Sequence, residues 1–444
     1  MHDAEEAHAV YGWEDVTYSI IGIGMAIADL HIHSRFAMAC SESITVRSLA
    51  DTALKKGIDI LGTGDILHNR WLDECEEELE EIEKSGTFKL KNTTKSPIFI
   101  LSAEVSTVFF DEGKTRKIHN CILLPSIDSA KNLRDSLKRY GELDSDGRST
   151  LNMGAPSFVE TLFSVEPKSF VFPAHIWTPY FGALGSISGY DSIRDAYKDQ
   201  SKRIFAIETG LSSDPPMNWL VKEMDSLALI SNSDMHSLMN MGREANVLKL
   251  DTNKLAYSDI IESIKGRGAK RLSSTIEFYP EEGKYHYDGH RDCHFSSDPL
   301  KNHITNCRVC GKPLVRGVLH RVADLSSRPA GYIPKDAVPY IHIIPLNELI
   351  SYSLGKGKYT KTVSETYESL IKGLSTEFNV LMNADIDSIS EIGGAEIGNT
   401  IKMMREGRIR ITPGYAGVFG KIEAIDESEE RPAGRHGQMG IGDF

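Results

Sequence analysis

The sequence predicts an α/β protein: a barrel of seven strand–helix units, then a small cysteine-bearing domain, then a helical region. Three observations carry this. From residue 26 to about 250, short apolar runs alternate with longer amphipathic stretches, the rhythm of a largely parallel sheet with outer helices. Metal-ligand residue types recur at the C-terminal ends of those runs, where α/β barrels collect their chemistry. Near residue 280 the composition changes to one rich in histidine, cysteine and basic side chains.

The apolar runs fall at 27–31, 58–62, 98–103, 120–124, 170–173, 204–207 and 227–230, with helical patterns such as 46–56 and 72–84 between them. Seven units in this length suit a closed barrel better than an open sheet. The expected divisions are an N-terminal extension (1–25), the barrel (26–278), a cysteine domain (279–345), a helical domain (346–425) and a polar, glycine-rich tail (426–444). Met25 stands just before the first motif, so residues 1–24 read as an extension or a mis-assigned start.

The 444 residues are 40% hydrophobic and 25% charged, ordinary values for a globular chain. The formal net charge of −13 argues against nucleic-acid binding by bulk charge, so any polyanion site must rest on local basic patches and metal ions. Six cysteines in a long chain with no signal peptide make a disulfide framework unexpected. No apolar run reaches the roughly 18 residues of a membrane span. A cytoplasmic location is the expectation.

The first run ends in His31-Ile32-His33. Side chains at i and i+2 of a strand share a face, so these imidazoles can grip one ion or two neighbouring ones. Two histidines in an ordinary turn would look the same; the other strand ends decide. They carry Asp65 and His68, Glu104, His175, Glu208, and Asp234 with His236, while His119 opens its run. Asp234-Met235-His236 repeats the opening arrangement. Five histidines (His31, His33, His119, His175, His236) plus Asp65, Glu104 and Asp234 exceed one tetrahedral shell, and His68 would add a sixth imidazole. The mixed set suits Zn, Mn or Fe better than an all-oxygen Mg or Ca site. Paired metals are the usual apparatus for cutting phosphate esters. Glu104 is the expected bridge between ions, because a carboxylate can span two and a neutral imidazole cannot.

At these motifs (Asp-Leu-His31-Ile-His33-Ser, Gly-Thr-Gly-Asp65, Ser-Ala-Glu104, Pro-Ala-His175, Ser-Asp234-Met-His236) the sequence resembles the PHP (polymerase and histidinol phosphatase) phosphoesterases. The resemblance implies a distorted seven-stranded barrel holding two or three divalent ions (Zn, Mn or Mg), with His31, Asp65 and Glu104 at the centre of catalysis. Many members have Thr-Asp-His as the second motif. Here Ile66 and Leu67 separate Asp65 from His68, and either residue supplies that ligand. A further histidine that some members carry after the first pair is absent, with Ala39 in that region.

Cys307-x2-Cys310 and His290-x2-Cys293 are two pairs at matching spacing and read together as one structural zinc site. His286, His294, His303 and His320 compete for the histidine position. Between 299 and 345, seven Lys/Arg face two acids, a local surplus of five positive charges suited to backbone phosphates.

Longer strings narrow the resemblance. Lys284-Tyr-His-Tyr-Asp-Gly-His-Arg-Asp-Cys293, Cys307-Arg-Val-Cys-Gly-Lys-Pro-Leu, Gly317-Val-Leu-His-Arg-Val-Ala-Asp-Leu325, Thr209-Gly-Leu-Ser-Ser-Asp-Pro-Pro-Met-Asn-Trp219 and Ala174-His-Ile-Trp-Thr-Pro179 resemble the endonuclease Q family, from about residue 26 to about 425. That resemblance implies a DNA-repair endonuclease of archaea and some bacteria. It would nick 5′ of a deaminated base (uracil, hypoxanthine, xanthine) or an abasic site and leave a 3′-hydroxyl and a 5′-phosphate. Reaching the lesion means exposing it. Trp177, Tyr180 and Phe181 are the expected stacking residues, and Arg148 and Arg291 the expected phosphate contacts. Gln438, Ile441 and Phe444 resemble a sliding-clamp-binding peptide. Two rivals remain at this level. A phosphatase for a small phosphomonoester such as histidinol phosphate would not need residues 280–444. A non-catalytic DNA or clamp adaptor would have lost barrel ligands.

Overall fold

The computed structural model describes residues 24–266 and 272–424. The clamp-like residues Gln438, Ile441 and Phe444, and nearly all of the N-terminal extension, lie outside them.

The chain is a mixed α/β protein. Its strands are β1 (Ala26–Asp29), β2 (Ile60–Gly62), β3 (Leu79–Glu81), β4 (Phe88–Leu90), β5 (Ile98–Asp111), β6 (Lys114–Leu124), β7 (Ser149–Leu151), β8 (Phe170–Pro173), β9 (Ala206–Glu208), β10 (Ala228–Ile230), β11 (Ala245–Leu248), β12 (Leu272–Glu277), β13 (Asp288–His290), β14 (Phe295–Ser297), β15 (Tyr340–His342), β16 (Ile409–Thr412) and β17 (Lys421–Ala424). The main sheet runs β15-β12-β11-β1-β2-β5-β4-β3, with β6 and β7 also paired to β5, and β8 to β6. All four residues of β1 are buried, which is why its first three are apolar without alternation, while the buried Asp29 that ends it accepts from the Ser233 and Gly242 N–H groups.

The expectation of a largely parallel sheet is corrected. β1–β2, β2–β5 and β5–β7 are parallel, but β1–β11, β5–β6 and β6–β8 are antiparallel. The reason is local. Glu112 and Gly113 both take left-handed backbone (φ 51° and 78°), the two-residue turn that joins antiparallel strands directly, so no helix separates β5 from β6. The helix expected over 46–56 is Val46–Lys56, capped by Thr45. That expected over 72–84 is instead Asn69–Glu78, and the chain then turns extended to pair β3 with β4.

A closed ladder is not drawn among the described residues. β9 and β10 form a separate parallel pair. Single links flank that pair: the Ile176 N–H donates to Glu208 O (3.2 Å), and Ile32 bridges Met235 in parallel.

Four helices (Leu346–Ser353, Lys361–Leu374, Ile386–Gly393, Ala395–Arg405) pack beside the sheet. A buried ion pair, Lys56 to Glu377 at 2.6 Å, ties them to the helix after β1, and Tyr367 donates to the same carboxylate. No helix of the described residues is long and apolar enough to cross a membrane.

Glu277, at the end of β12, is wholly buried and receives hydroxyl bonds from Thr209, Ser231 and Thr275. Burial, helped by nearby Asp214, pushes its carboxyl up to about 8. The native state therefore holds a proton that the unfolded chain has released, so this group costs stability progressively as pH rises from about 4.5 to 8. Glu277→Gln is expected to flatten that decline. Urea midpoints of variant and wild type should agree near pH 5, and the variant should be the more stable at pH 8. A constant difference at all pH values would contradict it.

Candidate metal centre

The register at the end of β1 builds the core of the site. Beyond β1 the chain runs parallel to residues 234–236: Asp234 N–H donates to His31 O (2.9 Å) and His33 N–H to Met235 O (3.2 Å). Ile32 and Met235 point into the apolar core, so alternation sends His31, His33, Asp234 and His236 the other way. The His33 and His236 rings stand 4.6 Å apart.

Glu104, on β5 and 1% exposed, joins two groups. Its Oε2 lies 3.3 Å from His33 Nε2 and 3.8 Å from His31 Nε2. Asp234 Oδ1 lies 3.1 and 3.6 Å from the same two nitrogens. Glu104 Oε1 meets His119 Nδ1 at 2.5 Å and His175 Nε2 at 3.0 Å, and those two nitrogens are 3.3 Å apart. His119 sits in the middle of β6, and the antiparallel pairing of β5 with β6 brings it beside Glu104. Burial alone would raise the Glu104 carboxyl; the facing His119, His175 and His31 rings hold it well below the carboxylate range. Burial also outweighs Glu104 at His119, whose imidazole is pushed down to about 4 and stays neutral, the form that ligates.

The residues present fit a metal cluster. His31 Nε2, His33 Nε2 and Asp234 Oδ1 are buried without an aligned hydrogen bond, an arrangement a folded protein rarely tolerates unless something else satisfies it. His31, His33, Glu104 and Asp234 form one set of convergent donors, and Glu104, His119 and His175 a second. Strain marks the same place: Asp65, His175 and Asp234 all have positive φ (45°, 28° and 45°). Gly210 packs so closely under His175 that a Cβ there would lie 2.5 Å from the histidine Cβ.

The second-motif residues sit apart from these donors. Asp65 bonds His33 Nδ1 and Ser34, while the His68 ring stacks on Phe36 at 4.3 Å. His236 is the most exposed of the group, its Nδ1 bonded to Asp234 O at 3.0 Å. Glu208, which sequence reading placed at a strand end but in no site role, is completely buried against His31.

Of the expected stacking residues, Trp177 is not available. It is 1% exposed and donates to Asn218, because the turn after His175 folds back into the core. Phe181 covers the His119 ring at 4.3 Å, and Tyr180 is 57% exposed. Arg148 reaches Glu104 Oε2 at 3.4 Å, with a quarter of its side chain open at the mouth; Arg291 is on the surface.

His290, Cys293, Cys307 and Cys310 converge as a second kind of donor group. The β13–β14 hairpin supplies the first two, and a tight turn closed by Gly311 N–H to Cys307 O supplies the others. His320 is held by Asp288, and His286 is buried against Tyr287, so neither takes the histidine position. The basic surplus beyond them is partly spent. Arg321 binds Leu184 O, Tyr190 O and Asp191, and Arg328 binds Trp219 O and Asp225, so both fasten this region to the loop after β8 and to the short helices before β10. Arg308, Lys312 and Lys335 stay exposed.

A cavity of about 560 Å³ is lined by Pro179, Ser212, Arg243, Tyr285, His286 and Phe419 among others, and by none of the donors of the centre. Arg243 connects the two: its guanidinium donates to Ser233 O and Asp234 O.

Among family models, that of the MJ0043 C-terminal domain matches residues 345–408. The crystal structure of the lesion-specific endonuclease PfuEndoQ from Pyrococcus furiosus aligns with a TM-score of 0.79 and 29% identity, covering 91% of this chain and 96% of that one. A structure of endonuclease Q in complex with a 27-mer duplex substrate, with an abasic lesion at the active site, aligns with a TM-score of 0.77 and 30% identity over 91% and 97% of the two chains. The protein MJ0043 of Methanocaldococcus jannaschii is 36% identical over 237 residues, 52% of this chain; the match spans only 30% of that longer relative.

Proposed function

This chain belongs to the endonuclease Q family, and from that and its convergent metal-donor groups we propose that it is a metal-dependent DNA-repair endonuclease. It would hydrolyse the phosphodiester 5′ to a deaminated base or an abasic site, leaving a 3′-hydroxyl and a 5′-phosphate. The observation that carries the reading is Glu104 joining two groups of convergent imidazole and carboxylate donors.

His31, His33, Glu104, His119, His175, Asp234 and His236 would hold the catalytic ions, and His290, Cys293, Cys307 and Cys310 a structural zinc. Divalent ions supply activation of water and stabilisation of charge on the phosphoryl oxygens. The protein's own groups do the rest. Arg148 meets the incoming phosphate at the mouth. The cavity walls, with Tyr285 and Phe419, take the base that leaves the stack, and damaged or mispaired bases cost least to extrude. Tyr180 covers the rim, and Arg308 and Lys312 contact the duplex backbone. A small phosphomonoester would use neither the cavity wall contributed by residues 278–286 nor the basic surface.

The test is incubation with Mn²⁺ and end-labelled duplexes carrying one deoxyuridine, one deoxyinosine, one abasic site or no lesion. A single nick 5′ of each lesion, with an extendable 3′ end, is expected. No nick, or equal nicking of the undamaged duplex, would refute the reading.

A further inference from the structure

We infer that Asp65 and Glu208 are positioning carboxylates that aim His31 and His33 at the metal cluster and are not ligands of it. The inference rests on the metal-hydrolase reading above and concerns how that centre is held.

Each imidazole has a carboxylate behind it. Both oxygens of Glu208 lie 3.0 Å from His31 Nδ1, and Asp65 Oδ1 lies 3.0 Å from His33 Nδ1. A carboxylate accepts there, so each Nδ1 carries the hydrogen, and the lone pair of each ring belongs to Nε2. Those Nε2 atoms are the buried, unpaired nitrogens that converge on Glu104 and Asp234. The two carboxylates thus decide which nitrogen faces the ions and at what angle.

Hydrogen bonds already engage both oxygens of each carboxylate, and Glu208, which converges with His31 and Cys121, meets the His31 ring on its Nδ1 side. Glu208 also accepts from His175 N–H (2.8 Å) and Asn232 Nδ2 (2.8 Å); Asp65 Oδ2 accepts from Ser34 N–H (2.6 Å) and Ser34 Oγ (2.7 Å). Glu208 therefore ties together the strand ends that carry His31, His175 and, through Asn232, Asp234. Asp65 anchors the turn that follows His33. In metal sites such outer carboxylates fix ring orientation and tautomer, and losing one costs about 10–100-fold in metal affinity.

A ligand and a positioning group differ in what their loss does to ion count. The purified full-length protein and its Asp65→Asn, Glu208→Gln and His33→Ala variants are stripped with chelator and titrated with Mn²⁺ by calorimetry. Bound metal is then counted at saturation. The two carboxylate variants are expected to bind as many ions as wild type but about 10–100-fold more weakly, whereas His33→Ala loses an ion from the count. An ion missing in Asp65→Asn or Glu208→Gln, or an unchanged affinity, would overturn the assignment.

A second measurement needs no variant. In the Zn²⁺-loaded wild type with ¹⁵N-labelled histidine, the His31 and His33 rings are expected to carry hydrogen on Nδ1. Hydrogen on Nε2 in either ring overturns the assignment for its carboxylate. If wild type binds no Mn²⁺ at all, the functional reading falls, a result distinct from weakened binding in the variants.

Discussion

Glu104→Gln is expected to lower lesion-dependent nicking by 10³-fold or more, about 4 kcal/mol of transition-state stabilisation, in a chain that remains folded. Glu104 is the one side chain common to both donor groups, and it brings β5 together with the middle of β6 and the residues just beyond β1 and β8. Glutamine keeps the volume but presents an amide NH₂ where an anionic oxygen faced two imidazole nitrogens, at 2.5 and 3.0 Å on one side. That face then offers a donor instead of an acceptor, and the formal charge balancing the ions is gone. Gel quantification of nicking, beside far-UV circular dichroism, checks it. Activity within tenfold of wild type would show that Glu104 does not join the two groups functionally.

The second large effect is expected from Cys307→Ser. Cys307 is the buried member of the His290–Cys293–Cys307–Cys310 group, and its N–H also closes the turn onto Lys312 O. Around it stand the short β13–β14 hairpin, irregular turns and one helix, Val318–Leu325, with the loop at Gly414 and Tyr415 packed on Tyr287 and Gly289. Structural zinc in such small units contributes on the order of 10 kcal/mol of folding free energy. The variant should lose one zinc per chain by mass spectrometry of the native protein and gain protease cuts between about residues 284 and 316. It should also bind lesion duplex far more weakly. Hydrolysis of a small phosphodiester such as bis-p-nitrophenyl phosphate should survive within a few-fold, because the Glu104 donors lie on other strands. Unchanged zinc content and protease pattern would refute a structural metal there.

Much of the centre was legible in the sequence because its signals are local. His31-x-His33 and Asp234-x-His236 show alternation on a strand face, and the two cysteine-bearing pairs show knuckle spacing. The structure adds that the first two motifs run side by side. The partners of Asp65 and Glu208 were not legible. A carboxylate at a strand end looks the same whether it faces an ion or the back of a histidine ring, and only the packing of strands far apart in sequence distinguishes them. Trp177 shows the same limit. Its position after His175 suggested stacking on a base, but the turn folds it onto Asn218 inside the core.

Sequence alone determined the residue types of the donor sets, their order along the chain, the helix at 46–56 and the cysteine group. Those depend on side-chain chemistry and on periods of two and 3.6 residues, which any short window displays. Tertiary structure decided the antiparallel insertion of β6 that brings His119 to Glu104, and the docking of Arg321 and Arg328 on the loop and short helices between β8 and β10. It also decided the split between carboxylates that converge with imidazole nitrogens and those that stand behind them. Each is a pairing between segments tens to hundreds of residues apart. Such pairings are set by strand register and core packing over the whole chain, which no local pattern encodes.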